Sequence, residues 1–265
     1  MNQSLFQNLP SIEARISRAD RVSLFLDFDG TLVPLQQDPA AAQLDTPTRE
    51  TLSRIARNAR IVTAIISGRT VSDLQLRIGL RGLVYAGNHG LEISGRQLSF
   101  IEPAAAARRE ELRQLSGRLA TKLGNIAGVL VEYKGLTASV HYRGVAAREV
   151  AKVEGTVSAL ASSAAASFVV RSGKMAFEIV PRTGWHKGTA ALWINQSLDD
   201  GNGLSIYLGD DTTDEDAFRA LTDGITVKVG NSTITSAGYH LADPCAVHEF
   251  LEWLAKHAPA RTTRN

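Results

Sequence analysis

Residues 22–32 read VSLFLDFDGTL, a short run of apolar residues that ends in two aspartates. A run that is apolar at nearly every position is typical of a strand buried on both faces of a parallel sheet. In open α/β sheets, ligands bind beyond the carboxyl ends of the strands. Asp27 and Asp29 therefore stand where a ligand of such a sheet would lie.

The elements around this stretch alternate between strand and helix patterns. This β-α-β order predicts a Rossmann-like α/β core, a parallel sheet with helices on both faces. The predicted strands are 22–28, 61–66, 82–86, 205–208 and 225–229. The predicted helices are 48–59, 71–78, 187–196, 213–221 and 246–257.

The pattern changes between the two halves of this core. Hairpins and helices predict an α+β segment, with a first hairpin at 90–100, strand pairs at 129–133 with 137–142 and 168–171 with 175–180, and helices at 104–123 and 146–160. We therefore expect a core made of 1–103 and 182–265, interrupted by an inserted cap at 104–181.

Composition narrows the possible partners and the compartment. The chain has 265 residues and a formal net charge of +2, with 29 basic and 27 acidic residues. This balance gives no reason to expect a nucleic-acid or membrane partner. Its one cysteine cannot form an intrachain disulfide, and the first residues do not resemble a secretory signal. We expect a cytoplasmic protein.

The two aspartates of the first motif suggest phosphoryl chemistry. Asp27 and Asp29 are two residues apart, so they project to one side of an extended backbone, where a cation can relieve their repulsion. Carboxylate oxygens suit Mg²⁺, and a carboxylate can attack phosphorus while its neighbour exchanges protons with the leaving group and water. Gly30 permits a tight turn beside phosphate-binding N–H groups. Alternatively, the aspartates only cap a turn.

Two further motifs supply groups that would hold an anion. Ser67 and Gly68 follow the predicted strand 61–66 at a helix start, a good position for phosphate, although Ser67 would also serve as a helix cap. Lys187 begins a predicted helix, where a cation is unfavourable unless an anion lies nearby. The alternative for Lys187 is a solvated surface charge.

An acidic cluster follows the predicted strand 205–208. Residues 208–215 read LGDDTTDE. Asp210 would complete a magnesium site with Asp27 and Asp29, and Asp211 and Asp214 would orient Lys187 or a metal-bound water. These acids would also stabilise a first helical turn without any catalytic role.

In this order, the four motifs resemble the haloacid dehalogenase superfamily of phosphatases. The resemblance implies that Asp27 is the nucleophile, Asp29 the general acid and base, and Ser67 and Lys187 the phosphate ligands. It also implies that Mg²⁺ binds the side chains of Asp27 and Asp210 and the main-chain carbonyl of Asp29.

A narrower resemblance covers residues 25–254. The segments AGNHGLE at 86–92, EYKG at 132–135, HYR at 141–143, RSGK at 171–174 and GDDTTDE at 209–215 are similar to those of trehalose-phosphate phosphatases. In that family the cap closes over the core and holds the glucose hydroxyls. The resemblance implies a substrate-binding set, which is Asn88, His89, Gly90, Glu132, Lys134, Arg171, Lys174 and Glu178.

The residues alone support this set less strongly. Glu132 and Lys134 face one way on a predicted strand, and Lys174 and Glu178 flank another. A sugar needs both donors and acceptors, which lysine and glutamate provide. Surface ion pairs across a sheet are the alternative reading, and these contribute little to stability.

Together with these resemblances, the sequence predicts a Mg²⁺-dependent hydrolase that cleaves trehalose 6-phosphate through an aspartyl phosphate, which would be the last step of trehalose biosynthesis. We expect a monomer, with a trehalose-phosphate synthase as a possible partner. The alternatives are a sucrose-phosphate or mannosylphosphoglycerate phosphatase, a phosphomannomutase-like transferase, and a non-catalytic regulatory domain. A dinucleotide-binding protein is disfavoured because the first β-α turn lacks GxGxxG.

Overall fold

Strands and helices alternate through most of the chain in a computed structural model that describes residues 3–36, 38–173, 175–198, 203–231 and 234–258. The strands are β1 Gln3–Ser4, β2 Arg21–Leu26, β3 Ile61–Ile66, β4 Val84–Gly87, β5 Glu92–Gly95, β6 Leu98–Ile101, β7 Leu130–Tyr133, β8 Ala138–His141, β9 Phe168–Gly173, β10 Ala176–Pro181, β11 Gly203–Gly209, β12 Ile225–Val229 and β13 Tyr239–Leu241. The α-helices are α1 Leu9–Arg18, α2 Thr46–Ala56, α3 Val71–Ile78, α4 Pro103–Ala107, α5 Arg109–Leu123, α6 Ala147–Ser162, α7 Lys187–Ser197, α8 Glu215–Ala220 and α9 Pro244–His257.

The main sheet is built around β2. Within the described ranges its strand order is β1-β13-β12-β11-β2-β3-β4-β5-β6. Every pair from β1 to β4 in that order is parallel, and β5 runs antiparallel to β4. Strand β3 is buried at every position, and β2 is buried from Val22 onward. The predicted α/β core with a buried parallel strand before Asp27 is confirmed.

This sheet and its helices share a hydrophobic core. The core joins β2 to apolar residues of the helices, among them Ile12 of α1, Leu52 of α2, Leu74 of α3 and Phe250 of α9. Helix α2 begins at Thr46, where the side chain of the preceding Asp45 accepts a hydrogen bond from the Thr48 N–H. Parallel strands need such helical cover because both of their faces are apolar.

The chain divides into two compact units. One unit reaches as far as Phe100 and resumes at His186, and the other is Ile101–Trp185. The second unit has its own sheet, which over the described residues has the order β7-β8-β10-β9 with antiparallel neighbours. Its core includes Leu115 and Leu119 of α5 and Val157 of α6.

Some elements differ from the sequence predictions. The predicted helix over 104–123 consists of α4 and α5, separated at Arg108, whose φ of −98° and ψ of 7° are not helical. Helix α1 and strands β1 and β13 were not predicted, because β1 and β13 have only two and three residues and α1 stands outside the alternating pattern. Across the described ranges, no helix combines the length and apolarity needed to cross a bilayer.

Candidate active site

Asp27 lies buried where β2 ends. Its N–H donates to the Leu208 carbonyl at 3.0 Å, which continues the pairing with β11. Its Oδ1 lies 3.0 Å from Lys187 Nζ. Burial raises the pKa of Asp27 well above its ordinary value, Lys187 opposes this shift, and Asp214 and Asp210 add to it. A positive partner is therefore needed to keep Asp27 ionised.

Lys187 supplies one such positive charge from the start of α7. It is 2% exposed, and its Nζ donates to Asp214 Oδ1 at 2.7 Å. Burial alone would lower the pKa of Lys187, but Asp214 and Asp27 outweigh it and raise the pKa above its ordinary value. Asp214 also accepts from the Tyr207 hydroxyl at 2.8 Å and from the Asp211 N–H at 2.9 Å. Both carboxylate oxygens of Asp214 therefore already have hydrogen-bond donors.

The position of Lys187 follows from the cap of α7. His186 is the N-cap residue, and its Nδ1 accepts from the N–H groups of Gly188 at 3.2 Å and Thr189 at 3.3 Å. Thr189 Oγ1 in turn accepts from the His186 N–H at 2.7 Å. These reciprocal hydrogen bonds satisfy main-chain N–H groups that have no partner within the first turn of α7. They also direct Lys187, the first residue of α7, at the carboxylates.

The carboxylate cluster fits a divalent cation. Oxygens of Asp27, Asp210 and Asp214 lie within 4.8 Å of one another. Asp210 approaches because Gly30 has no side chain: a Cβ there would stand 2.0 Å from Asp210 Oδ2. Since Lys187 and Tyr207 already occupy Asp214, a cation would bind Asp27 and Asp210. Hard oxygen ligands of this kind suit Mg²⁺.

Gly30 contributes this room through its backbone conformation. Its φ is +85°, a region that residues with side chains rarely adopt. Its N–H donates to the Val33 carbonyl at 2.7 Å, which closes the turn after Asp29.

The side chain of Asp29 is held by an arginine. Arg69 donates to both carboxylate oxygens of Asp29, at 2.6 and 2.8 Å. Arg69 also donates to Asp73 at 2.8 Å, and Asp73 accepts from Arg77 at 2.8 Å. The Arg69 guanidinium lies 5.4 Å from the centre of the Phe28 ring. Asp29 is therefore the first member of a line of alternating charges.

Ser67 and Gly68 form the turn after β3. Ser67 is buried, and its Oγ accepts from the Arg69 N–H at 3.3 Å. His89 lies against this turn: its N–H donates to the Ser67 carbonyl at 2.8 Å. A Cβ on Gly68 would stand 2.8 Å from His89 Cε1. Only glycine at 68 lets the imidazole approach so closely.

The turn after β4 is backbone-strained. Asn88 and His89 have φ values of 50° and 59°, the left-handed region that most residues avoid. Asn88 Nδ2 donates to Glu92 Oε1 at 2.9 Å, and the same oxygen accepts from the Val71 N–H at 2.8 Å. Glu92 thus ties this turn, with Gly90, to the start of α3. Such strain clusters at functional sites.

In the second unit, polar side chains cross the sheet in one row. Glu132 pairs with Ser139, Ser139 with Glu178, and Glu178 with Arg171 in the strand register. Glu178 accepts from Lys134 Nζ at 3.1 Å and from Ser139 Oγ at 2.7 Å.

A second pair extends this row at its edge. His141 Nε2 lies 3.0 Å from Glu132 Oε2. The hydrogen bond with His141 holds the pKa of Glu132 below its ordinary value against the opposing effect of burial. Lys174, which the sequence also places in the substrate-binding set, lies outside the described residues.

Two residues of these networks, Tyr207 and Arg69, were not predicted from the sequence. Tyr207 lies inside a strand and reads as an ordinary core residue. Arg69 stands two residues after Ser67, and that spacing was the one signal for it. The side chain of Asp211 accepts from the Thr212 N–H at 2.7 Å, and its role in orienting Lys187 or a metal-bound water stays a prediction.

Comparison with known proteins identifies the fold and the family of the chain. The fold is that of haloacid dehalogenase-like hydrolases: the chain superposes on one from Bacteroides thetaiotaomicron with a TM-score of 0.64 at 17% identity, covering 88% of this chain and 99% of that one. The model of the trehalose-phosphatase family matches residues 25–244. The chain belongs to the trehalose-phosphatase family.

Individual relatives carry the same name. The chain is 36% identical over 257 residues to the trehalose-phosphate phosphatase of Mycobacterium tuberculosis strain H37Rv, which covers 92% of this chain. It spans 65% of that relative's length. The C-terminal domain of C. albicans trehalose-6-phosphate phosphatase superposes with a TM-score of 0.80 at 24% identity, covering 97% of this chain and 98% of that one.

Proposed function

We propose that this chain hydrolyses trehalose 6-phosphate to trehalose and phosphate. Membership of the trehalose-phosphatase family supports the substrate. The single observation that carries the chemistry is the buried Asp27 carboxylate, 3.0 Å from Lys187 Nζ and grouped with Asp210. A buried carboxylate at a strand end, flanked by a fixed cation and a metal-binding partner, suits covalent phosphoryl transfer.

We propose Mg²⁺ as the cation, bound by the carboxylates of Asp27 and Asp210 and the main-chain carbonyl of Asp29. When bound, it would neutralise charge on the phosphoryl oxygens and favour the ionised form of Asp27. Lys187 adds a fixed positive charge from another direction. Ser67 and Gly68 offer a hydroxyl and an N–H to the phosphate, and Gly30 leaves the space beside Asp210.

The reaction has two displacements at phosphorus. An oxygen of Asp27 attacks phosphorus, the bond from phosphorus to the sugar oxygen breaks, and Asp29 gives its proton to that oxygen. Water then attacks the aspartyl phosphate, Asp29 takes the water proton, and the bond to Asp27 breaks to release phosphate. Before the first step, Asp29 must give up a hydrogen bond from Arg69, take up a proton from solvent and donate that proton in a hydrogen bond to the sugar oxygen.

We propose that the polar row of the second unit recognises the sugar. Lys134 and Arg171 supply donors, and Glu132 and Glu178 supply acceptors, which together match vicinal hydroxyls. Asn88, His89, Gly90 and Lys174 complete the proposed set.

The decisive assay compares four substrates in the presence of Mg²⁺. Phosphate release from trehalose 6-phosphate should exceed release from glucose 6-phosphate, sucrose 6-phosphate and mannosyl-3-phosphoglycerate, and EDTA should abolish it. Preference for another substrate would keep the aspartate chemistry and overturn the sugar assignment. No release from any of them would leave the regulatory alternative.

We also propose a cytoplasmic monomer. The single cysteine excludes an intrachain disulfide and suits a reducing compartment. Light scattering after gel filtration measures the mass, and co-purification with a trehalose-phosphate synthase tests whether that enzyme binds.

A further inference from the structure

Lys228 lies buried beside the loop that carries Asp210, and the proposed mechanism gives it no part. It is a residue of β12, paired in register with Gly209 at the end of β11, and it is 5% exposed. Its Nζ donates to the main-chain carbonyls of Asp210 at 2.8 Å and Asp211 at 3.3 Å. The ammonium group therefore contacts the backbone of the acidic loop.

The Glu215 carboxylate lies beside Lys228 but is not a close partner. Glu215 Oε1 lies 3.9 Å from Lys228 Nζ. The two oxygens of Glu215 accept from the Thr235 hydroxyl and the Ser236 N–H, both at 2.7 Å. A buried ammonium is costly unless it is hydrogen-bonded. Lys228 makes its hydrogen bonds mainly to the carbonyls of Asp210 and Asp211, and these bonds hold the two carbonyls in place.

Two lysines thus hold one loop in different ways. Lys187 bonds to the Asp214 carboxylate at 2.7 Å, whereas Lys228 bonds to the main chain at 210 and 211. The direction of the Asp210 side chain depends on the main chain from which it projects. Asp210 also fills the space beside Gly30, where a small rotation of that main chain would move its oxygens away from Asp27.

We propose that Lys228 is a positioning residue of the metal site: by holding the carbonyls of Asp210 and Asp211, it directs the Asp210 carboxylate at the cation. This inference rests on the proposed function for its metal site. Groups that orient metal ligands typically change metal affinity or activity by about 10–100-fold when removed.

The direction in which Mg²⁺ affinity changes when Lys228 is replaced tests this proposal. A buried positive charge repels a divalent cation, so removing it should tighten Mg²⁺ binding if charge were its main influence. Loss of positioning should do the opposite and weaken binding. The two roles therefore predict opposite changes for one substitution.

The experiment is isothermal titration of Mg²⁺ into the full, metal-free chain, in wild type and in Lys228→Met. We expect the dissociation constant of Lys228→Met to rise by about tenfold or more. Lys228→Gln, which keeps a donor but not the charge, should bind with intermediate affinity and serves if the Met variant does not fold. In assays with trehalose 6-phosphate, the Mg²⁺ activation constant should rise while KM at saturating Mg²⁺ stays within twofold.

Thr226→Val is the matched control. Thr226 lies two residues earlier on β12, is 6% exposed, and accepts from the Gly238 N–H at 3.0 Å through its Oγ1. Its loss disturbs the same strand without touching the acidic loop. We expect a lower unfolding temperature and an unchanged Mg²⁺ dissociation constant.

Tighter or unchanged Mg²⁺ binding in Lys228→Met and Lys228→Gln would overturn the proposal, as would equal weakening in Thr226→Val. Because calorimetry needs no sugar phosphate, failure of the substrate assignment leaves this result readable. A wild type that binds Mg²⁺ without cleaving trehalose 6-phosphate would overturn the proposed function alone.

Discussion

At the scale of single residues, Asp27 combines burial with a required negative charge. Burial raises its pKa well above the ordinary value of 3.8, and Asp214 and Asp210 strengthen the effect while Lys187 opposes it. Metal ligation requires the ionised form, so we expect Mg²⁺ binding to release a proton. Titrations in buffers of different ionisation enthalpy measure that release, and the apparent affinity should rise with pH up to the raised pKa of Asp27. Affinity independent of pH, with no proton release, would contradict this assignment.

The same shift links Asp27 to folding of the metal-free protein. Because its native pKa is raised, its contribution to stability is present below the unfolded value and is lost as the pH rises through the native pKa. Mg²⁺ should offset this loss, since a ligand that binds only the native state stabilises it.

Arg69 provides a second prediction at this scale. Burial would lower the pKa of Arg69, but Asp29 and Asp73 raise it, so the guanidinium stays charged and keeps Asp29 in place. We expect Arg69→Gln to lower kcat by roughly tenfold or more, because general acid–base catalysis contributes about 10²–10⁴-fold. KM should change much less.

Arg77→Gln is the control for Arg69. Arg77 bonds to Asp73 at 2.8 Å and to the carbonyls of Ala40 and Ala42, and its bonds leave Asp29 untouched. An equal loss of kcat in both variants would show that these charged residues affect kcat through the stability of the protein and not through the position of Asp29.

The spacing of the motifs made much of the candidate site predictable. Asp27, Ser67 and Asp210 each follow a buried strand, and the carboxyl ends of parallel strands meet at one edge. Arg69 and Lys228 were not predictable in the same way. Their partners are 40 and 18 residues away in sequence, and both contacts depend on loop conformations that periodicity does not describe.

At the scale of elements, two glycines should respond in opposite ways to substitution by alanine. One lies in tightly packed surroundings, and the other lies in an open position of a helix. Gly209 ends β11, and a Cβ there would stand 2.2 Å from Asp214 Cγ, whereas a Cβ on Gly155 in α6 would meet nothing within 4 Å. We expect Gly155→Ala to stabilise the protein by about 0.5–1 kcal/mol. Gly209→Ala should destabilise it and reduce turnover, because Asp214 holds Lys187.

Urea unfolding measures both glycine variants. A neutral Gly209→Ala would show that the acidic loop moves without cost, and would contradict the close packing described here.

The elements themselves were largely predictable because most are strongly periodic. Strands β2 and β3 and helix α3 match their predicted positions closely. The break between α4 and α5 was missed because the alanine-rich sequence before Arg108 favours a continuous helix. Strands β1 and β13 pair over only two register positions, too short a length for an alternating pattern to be detected.

At the scale of the whole molecule, two units with separate cores suggest a division of labour. The structure divides the chain after Phe100 and after Trp185, and the role of the inserted unit as a substrate-recognising cap stays a prediction. If Glu178 binds the sugar, Glu178→Gln should raise KM for trehalose 6-phosphate by about tenfold, since a hydrogen bond to a charged group contributes about 1.5–3 kcal/mol. Hydrolysis of p-nitrophenyl phosphate, which has no sugar, should be unchanged.

Glu110→Gln is the matched control within the same unit. Glu110 forms an exposed ion pair with Arg113 in α5, at 2.7 Å. Its loss should leave the hydrolysis of trehalose 6-phosphate and of p-nitrophenyl phosphate unchanged. If Glu178→Gln lost activity equally on both substrates, the proposed role of the inserted unit in sugar recognition would be contradicted.

The central claim is that Asp27 is the nucleophile, and turnover of Asp27→Asn tests it most directly. The amide keeps the size of the side chain but cannot form the aspartyl phosphate. With trehalose 6-phosphate and saturating Mg²⁺, we predict phosphate release at the background rate from a variant whose circular dichroism matches wild type. Release at a substantial fraction of the wild-type rate would contradict covalent catalysis through Asp27.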